Sequence, residues 1–238
     1  MLSYEERLGA ARIGITDRYG GASREPYESL NLGDHVGDDP HAVAANRATL
    51  ARLAGVDPPR LVVMTQVHGA TVSVIRAAPD RAPVVDAMVT DQPDLALAVL
   101  VADCAPVVLV DPARGVVGVA HAGRRGLLDG VLDATVTAMR ELGAEHLEAR
   151  VGPAICARCY EVPDEMAADV TARVPAARGS TRWGTAGIDV GAGALAELRR
   201  LGVPATSAGP CTYESPAHFS YRRDGVTGRF AAFVVLAA

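Results

Sequence analysis

The chain has 238 residues, of which 49% are hydrophobic and 21% charged, so it is long enough to bury a large core. Its net charge of −5 and its lack of a basic cluster argue against a nucleic-acid-binding surface. The sequence has no apolar run of the roughly 18 residues that a membrane-spanning helix needs, and no signal-peptide pattern at its start. We therefore expect a cytoplasmic protein that binds a small molecule and neither nucleic acid nor membrane. The oligomeric state is left open.

Apolar periodicity and turn residues predict helices and strands along a single domain that spans residues 1–238. The first helix is marked by Asp39-Pro40, an N-cap followed by proline, and by Gly55 at its end. In chain order we predict helix 40–53, strands 61–64, 71–75, 96–101, 106–110 and 116–120, helix 127–142, strand 148–151, helices 164–174 and 190–201, and strand 230–236. Because several strands follow one another directly, the fold class is α/β of the α+β type: a mixed, largely antiparallel sheet sandwiched with helices.

Two of the predicted strands form a hairpin that carries a cysteine at one open end and a histidine at the other. Residues 111–115 (DPARG) have the proline and glycine of a tight turn. A turn centred on Ala113 pairs Cys104 with position 122 and His121 with position 105, so the two side chains become near neighbours. Because a shift of one residue moves a side chain to the other face of the sheet, this inference depends on the register.

Taken singly, a buried cysteine and a histidine at the end of a strand are ordinary structural residues. Their context favours a site, because Asp103 precedes the cysteine and the glycine-arginine segment 122–126 (AGRRG) follows the histidine. His68 lies at the end of another predicted strand and precedes a glycine. Two histidines and one cysteine form a ligand set that is found in catalytic zinc sites with an open fourth position. The same residues also suit a cysteine nucleophile with a histidine base.

Several motifs follow one another in an order that resembles the YfiH family, also called the laccase-domain or polyphenol oxidase-like family. They are NLGDHVGDDPHAVAANR (31–47), QVHG (66–69), DAMVTD (86–91), ADC (102–104), HAGRRG (121–126), GPAI and CYEV within 152–162, and FSYRRDGVTGR (219–229). The resemblance covers nearly the whole chain. One position departs from the common pattern, because Arg124 stands where the family usually has tryptophan. The effect of this change on ring stacking beside the site is left open.

The resemblance implies a sandwich fold and a metal site built from His68, Cys104 and His121. It implies zinc, with copper as the alternative metal. Members are described as purine nucleoside phosphorylases that act on adenosine, inosine and methylthioadenosine and also deaminate adenosine. Other members are described as copper-dependent polyphenol oxidases, and bacterial relatives as peptidoglycan editing factors. The main alternative is therefore a cysteine amidase that edits cytoplasmic peptidoglycan precursors, with Cys104 as nucleophile. Phenol oxidation is the weakest reading, because three ligands cannot hold several copper ions.

Further residues are assigned on chemical grounds. Asp103, beside a ligand, is expected to orient it or to handle a proton. Arg125 and Arg47 are candidates for binding phosphate, since guanidinium matches phosphate geometry, and Gln66 is a third candidate for binding substrate.

The remaining cysteines and a charged segment near the C-terminus are expected to have structural or incidental roles. The Cys156-x-x-Cys159 pair and Cys211 are read as incidental thiols, because a second CxxC pair is missing. Residues 222–224 are read as an ion-pair network, with lining of the site as the second interpretation.

Overall fold

The computed structural model describes residues 1–237, which form two large β-sheets with helices on their outer faces. The five-stranded sheet has the strand order β1-β2-β13-β6-β3. Its strands are β1 (Leu2–Leu8), β2 (Ala11–Thr16), β3 (Leu61–Val63), β6 (Ala96–Val101) and β13 (Phe230–Leu236). All its neighbouring pairs are antiparallel except β3 with β6, which are parallel.

The six-stranded sheet has the order β12-β9-β7-β8-β5-β4, and it carries the predicted hairpin at its centre. Its strands are β4 (Val72–Val74), β5 (Ala87–Thr90), β7 (Ala105–Asp111), β8 (Val116–Ala122), β9 (Glu148–Val151) and β12 (Ala205–Ser207). The two outer pairs of this sheet are parallel and the three inner pairs antiparallel. A separate ribbon pairs β10 (Arg178–Ser180) with β11 (Ala186–Ile188).

The α-helices of the described chain are α1 (Pro40–Ala54), α2 (Arg124–Asp129), α3 (Val131–Glu141), α4 (Asp164–Arg173), α5 (Val190–Arg200) and α6 (Tyr221–Asp224). Asp39 caps α1 by accepting a hydrogen bond from the backbone N–H of His41, and Gly55 ends it with a φ of 79°. Both ends of this helix therefore have the chemistry that the sequence predicts. Among residues 1–237, no helix has the length and apolar character that would let it cross a membrane.

The two sheets pack face to face, and strand β6 shows how the layers are built. Leu97 and Val99 pack into the core between the sheets. Ala96, Ala98 and Leu100 point to the other face, where Leu50 of α1 covers them. Because both faces of the strand are buried, its sequence is a continuous apolar run rather than an alternating one. A third core lies on the outer face of the six-stranded sheet, beneath helices α2 to α5.

This architecture confirms the predicted mixed α/β class and shows that the strands form two packed sheets where the sequence suggested one. The predicted helix 127–142 is wrong as a single element. It begins earlier, at Arg124, and breaks at Gly130, whose φ of 83° is left-handed and ends α2. The backbone then restarts as α3 at Val131. A glycine in this left-handed conformation is a common way for a helix to end.

Six strands were missed by the sequence prediction, namely β1, β2, β5 and the three-residue strands β10, β11 and β12. β1 is an edge strand whose residues alternate between partly buried and exposed, so its charged side chains hide the strand pattern. In β2, Gly14 makes room for an aromatic ring, because a Cβ atom there would lie 2.3 Å from Cζ of Phe233. β5 is short and fully buried, and it lies within the DAMVTD motif.

Candidate active site and metal centre

His68, Cys104 and His121 come from three separate segments and meet at one end of the hairpin. His68 lies in the loop after β3, Cys104 immediately precedes β7, and His121 is in β8. Their potential ligand atoms all lie within 4.8 Å of one another. Cys104 Sγ is 4.0 Å from His68 Nε2, and the two imidazole rings meet edge to face with centroids 4.7 Å apart. The structure therefore brings together the three residues that the sequence motifs select.

The hairpin register differs by one residue from the predicted one. Ala105 pairs with Ala122, and Pro106 pairs with His121. The shift arises because Asp111 pairs with Val116, which leaves four residues in the turn and places Gly115 at a φ of 63°. Continued beyond the last pair, the observed register sets Cys104 opposite Gly123. Cys104 then lies diagonally from His121 on the same face of the sheet. This arrangement lets the two side chains bind one metal ion.

Asp86 is the residue that organises this site, and the sequence prediction missed it. It is fully buried, and its Oδ1 lies 2.9 Å from Nδ1 of His121. The same carboxylate accepts hydrogen bonds from the backbone N–H groups of Val67, His68 and Gly69, at 3.2, 2.9 and 2.7 Å. With Nδ1 engaged by the carboxylate, His121 presents Nε2 to the site, as metal-binding histidines usually do. The DAMVTD motif contains Asp86, but nothing in its spacing reveals the contact.

Two residues of the site have unusual backbone conformations. His68 has a φ of 61° and Asp103 a φ of 98°, in the region that favours glycine. A non-glycine residue held there costs about 1–3 kcal/mol. The hydrogen bonds that Asp86 accepts hold the His68 loop in place, and Asp103 is held by both of its carboxylate oxygens. Its Oδ1 accepts from Thr212 Oγ1 at 2.6 Å, and its Oδ2 accepts from the backbone N–H of Arg222 at 2.6 Å.

The charged forms of Cys104, His121 and Asp86 stabilise one another. Burial on its own raises the pKa of the Cys104 thiol, but the neighbouring His121 and His68 outweigh burial and lower that pKa to about 6. Burial disfavours the charged form of His121, and the negative charges of Cys104 and Asp86 overcome this and raise its pKa to about 9. Burial also disfavours the charged form of Asp86, but its bonds to His121 and to the backbone lower its pKa. In the metal-free protein the site therefore favours a thiolate beside an imidazolium.

The three side chains can hold a tetrahedral metal ion once their ligand atoms, which lie within 4.8 Å of one another, move closer together. Zinc–ligand distances of about 2.0–2.3 Å place neighbouring nitrogen and sulfur ligands about 3.3–3.6 Å apart in a tetrahedral site. Cys104 Sγ and His68 Nε2, at 4.0 Å, need to approach by about half an ångström. Gly123 leaves the space for them, because a Cβ atom there would lie 2.9 Å from Cys104 Sγ and 3.4 Å from His68 Cδ2. One sulfur and two nitrogen donors are a ligand set that zinc and copper both accept.

A cavity of about 650 Å³ opens above the three side chains. Its remaining walls combine apolar residues such as Ile155 and Val190 with two tyrosines, Tyr160 and Tyr221. Four arginines also line it, namely Arg124, Arg125, Arg222 and Arg229. The volume is in the range of small-molecule sites, which is about 300–1,000 Å³. The cavity therefore offers flat rings for stacking and positive charge for an anion next to the ligand cluster.

The other predicted site residues are distributed unevenly around this cavity. Arg125 and Asp103 line it. Gln66 also lines it, but its amide group is engaged with the backbone of Leu100, donating to the carbonyl at 2.7 Å and accepting from the N–H at 2.9 Å. Arg47 lies outside the cavity lining. Its guanidinium donates to the carbonyl of Leu32 at 2.9 Å and pairs with Asp34 at 3.1 Å.

Two cavity arginines were not among the predicted substrate-binding residues, although lining of the site had been the second interpretation for Arg222. Arg229 donates to the carbonyl groups of Thr227 and Gly228, which keeps its half-buried guanidinium in place. Arg222, which was weighed for a structural role, lies over the ring of Tyr160 at 4.8 Å and donates to a backbone carbonyl. Both arginines belong to the FSYRRDGVTGR motif, so the motif marked the segment and the fold was needed to bring it to the cavity. Of residues 222–224, Arg223 and Asp224 form the expected ion pair.

Residues 12–237 match the sequence model of the family described as multi-copper polyphenol oxidoreductase laccase. The chain belongs to this family. A purine nucleoside phosphorylase of Streptomyces coelicolor is 56% identical over 241 residues, an alignment that covers 99% of this chain and 100% of that protein. These findings confirm the family resemblance drawn from the motifs.

Solved structures of the laccase-like family share the fold. A Neisseria meningitidis protein of the family designated DUF152 has a TM-score of 0.89 at 36% identity, with 100% of this chain and 99% of that chain covered. The Bacillus licheniformis hypothetical protein YfiH has a TM-score of 0.87 at 31% identity, with 95% of this chain and 92% of that chain covered. The two packed sheets are therefore the architecture of the family.

Proposed function

We propose that this chain is a zinc-dependent purine nucleoside phosphorylase that acts on adenosine, inosine and methylthioadenosine and also deaminates adenosine. The observation that carries the proposal is the convergence of His68, Cys104 and His121 within 4.8 Å beneath a cavity lined by arginines and tyrosines. The relative from Streptomyces coelicolor, similar over its whole length, bears the name purine nucleoside phosphorylase. This name and the chemistry of the cavity point in the same direction.

The cavity suits a nucleoside and a phosphate ion together. Its volume of about 650 Å³ is sufficient for both, and Tyr160 or Tyr221 offers a ring face for the purine base. These tyrosines supply the aromatic surface that Arg124 does not. In phosphorolysis, an oxygen of phosphate forms a bond to C1′ of the ribose as the bond from C1′ to the base nitrogen breaks. The products are the free base and ribose 1-phosphate.

The arginines on the rim are the residues that we assign to phosphate. Within residues 1–237, the guanidinium groups of Arg124 and Arg125 have no protein hydrogen-bond or ion-pair partner, although both line the cavity. They are therefore free to form charge-assisted bonds with phosphate oxygens. Arg47, the other phosphate candidate from the sequence, is held by Leu32 and Asp34. We assign it to stabilising the segment that carries Asp34, which lines the cavity.

His68, Cys104 and His121 are the residues that would hold the zinc ion, with copper as the alternative. When bound, such an ion supplies a Lewis acid beside the substrate. The role of Asp86 is to keep a proton on Nδ1 of His121, so that Nε2 is free to coordinate, and to fix the loop that carries His68. The role of Asp103 is to hold the backbone beside Cys104 through Thr212 and Arg222. It positions Cys104 and takes no direct part in proton transfer.

The test is to incubate adenosine with the metal-loaded protein, with and without phosphate, and to separate the products by chromatography. We expect adenine and ribose 1-phosphate only with phosphate, and inosine in its absence. Cys104→Ala should form none of these three products. Persistence of unchanged adenosine with fully loaded wild-type protein would reject the proposal.

The second candidate is a cysteine amidase that acts on peptidoglycan precursors. It is favoured by one observation, the placement of Cys104 Sγ 4.0 Å from His68 Nε2, which suits a nucleophile and its base. This reaction would proceed in metal-free protein, whereas the phosphorylase requires the ion. Muropeptide precursors are therefore the second substrate in the same assay. Their cleavage by chelator-treated protein, together with unchanged adenosine, would favour the amidase.

A further inference from the structure

A second cluster of metal-binding side chains lies outside the cavity lining. Cys156 and Cys159 follow strand β9, and Cys211 and Glu214 follow strand β12. Their potential ligand atoms all lie within 4.8 Å of one another. From the sequence, the three cysteines were expected to be incidental thiols, because a second CxxC pair is missing. The fold supplies the third thiol and a carboxylate, which the sequence spacing could not show.

The backbone around the cluster is shaped to direct the sulfur atoms together. The N–H groups of Cys159 and Tyr160 both donate to the carbonyl of Cys156 at 3.0 Å, which closes the CxxC segment into a tight turn. The backbone N–H of Cys156 lies 3.4 Å from Cys211 Sγ and donates to it. Such N–H groups stabilise negative charge on a ligand sulfur. Ala154 also forms a parallel bridge with Cys211, which fixes the two segments to each other.

The cluster gathers three thiols and one carboxylate, whose potential ligand atoms lie within 4.8 Å of one another. A thiol binds metal as its thiolate, so a divalent ion that enters the cluster displaces the thiol protons.

Arg182 is the cation that the protein itself supplies to the cluster. Its Nη2 donates to Cys159 Sγ at 2.6 Å and to Glu214 Oε1 at 2.8 Å. Three thiolates and one carboxylate around a divalent ion retain a net negative charge, so an arginine on the outside of the set complements it. One guanidinium alone does not balance the four negative charges that these groups carry when they bind a metal ion.

We propose that Cys156, Cys159, Cys211 and Glu214 form a structural site for a thiolate-binding divalent cation, zinc. Four protein ligands that are mostly sulfur close the coordination shell of zinc, as structural sites do. The cluster thus differs from His68, Cys104 and His121, which leave a position open. Cysteine clusters in proteins without disulfides are also more often metal sites than redox frameworks.

The cluster lies where a bound metal ion would stabilise the backbone next to Cys104. The two segments that the cluster joins, one with Cys156 and Cys159 and the other with Cys211 and Glu214, also hold the backbone beside Cys104. In the first segment, Ile155 donates its N–H to the carbonyl of Asp103 at 2.9 Å. In the second, Thr212 donates its hydroxyl to the carboxylate of Asp103 at 2.6 Å. Ile155 and Tyr160 line the cavity. A metal ion here would therefore fasten one wall of the cavity and the support of Cys104.

The experiment measures how many metal ions each chain binds, using variants in which the His68, Cys104 and His121 site is disabled. Wild type, Cys104→Ala, Cys211→Ala and the double variant Cys104→Ala/Cys211→Ala are stripped of metal under reducing conditions and titrated with Zn²⁺ and Co²⁺. We expect two tightly bound ions in wild type, one in each single variant and none in the double variant. Cobalt-loaded Cys104→Ala should show strong thiolate-to-cobalt charge transfer. Glu214→Gln, which keeps all three thiols, should weaken binding by at least 10-fold.

The readout is independent of enzymatic activity, so failure of the phosphorylase assay leaves this test intact. His68→Ala is a second background, because His68 is exposed and its truncation leaves the core unchanged. The proposal is overturned if Cys104→Ala and His68→Ala bind no ion, or if they show no thiolate charge transfer with cobalt. A Cys156–Cys159 disulfide that persists in reductant would overturn it as well.

Discussion

Replacement of Asp86 by asparagine is the change that most sharply tests how the cluster is built. The carboxylate accepts four hydrogen bonds, two on each oxygen: Oδ2 from the N–H groups of Val67 and Gly69, and Oδ1 from the N–H of His68 and from Nδ1 of His121. An asparagine has one acceptor oxygen and one donor nitrogen. Whichever way the amide is turned, it presents N–H atoms to two of the four partners.

The expected loss of stability follows from these four hydrogen bonds. Each buried donor left without an acceptor costs about 1–3 kcal/mol, so Asp86→Asn should lower the free energy of unfolding by about 2–6 kcal/mol. If the amide nitrogen faces His121, the imidazole keeps a proton on Nε2, the atom that should coordinate metal. Loss of such an orienting carboxylate typically lowers metal affinity 10- to 100-fold. Both effects should therefore appear in the same variant.

The assays are urea denaturation of the metal-free protein and competition for Zn²⁺ against a chromophoric chelator. Asp91→Asn is the matched control, since it lies in the same motif and its carboxylate accepts from the side chain of the adjacent Gln92. We expect the control to change the free energy of unfolding by less than about 0.5 kcal/mol. Wild-type zinc affinity and stability in Asp86→Asn would refute the role given to Asp86.

The remaining predictions concern the cavity, the ligand pocket and the hairpin turn. Arg125→Ala should raise the KM for phosphate by about 10-fold or more, because it removes one charge-assisted hydrogen bond. Arg47→Ala, the control, should change this KM by less than about 2-fold. Steady-state kinetics with varied phosphate concentration measures both values. Gly123→Ala should lower zinc affinity, because the added Cβ would lie 2.9 Å from Cys104 Sγ. It should cause no large loss of stability, because the φ of −79° at this position suits alanine. Gly191→Ala is the control, since the nearest atom to its added Cβ, Asp189 Oδ1, lies 3.5 Å away. At the turn, burial opposes ionisation of Asp111, but four backbone N–H donors outweigh it and lower its pKa. Its stabilising effect is therefore full above the unfolded pKa of about 3.9 and is lost as pH falls through the lower folded pKa. Asp111→Asn should be about 1–3 kcal/mol less stable than wild type at pH 7, and this difference should shrink at pH 3 in urea titrations; an unchanging difference would contradict it.

Local chemistry made the central part of the fold predictable from the sequence. The hairpin carries its own turn residues, and helix α1 has both of its caps, so each element is specified by residues within it. The break at Gly130 was missed because the apolar periodicity continues across it. Strand β1 was missed because it lies at an edge, where charged side chains are tolerated.

The site was predictable only where the chemistry is carried by rare residue types. His68, Cys104 and His121 stand out in motifs, whereas Asp86 is one of many acidic residues and reveals its role only through a buried contact with His121. Arg229 reaches the cavity through the pairing of the last strand, β13, with β2 and β6, which are distant in sequence. The second cysteine cluster was missed for the same reason, because Cys211 meets the CxxC turn only in three dimensions.

The most direct test of the central claim uses inosine, which cannot be deaminated, so that phosphorolysis is measured alone. Hypoxanthine and ribose 1-phosphate are quantified for zinc-loaded wild type, His68→Ala and the control His146→Ala, whose histidine is exposed and remote from the three ligands. We predict equal amounts of the two products from wild type and His146→Ala, strictly dependent on phosphate, and none from His68→Ala. Undiminished product from His68→Ala would contradict the assignment of the reaction to this site.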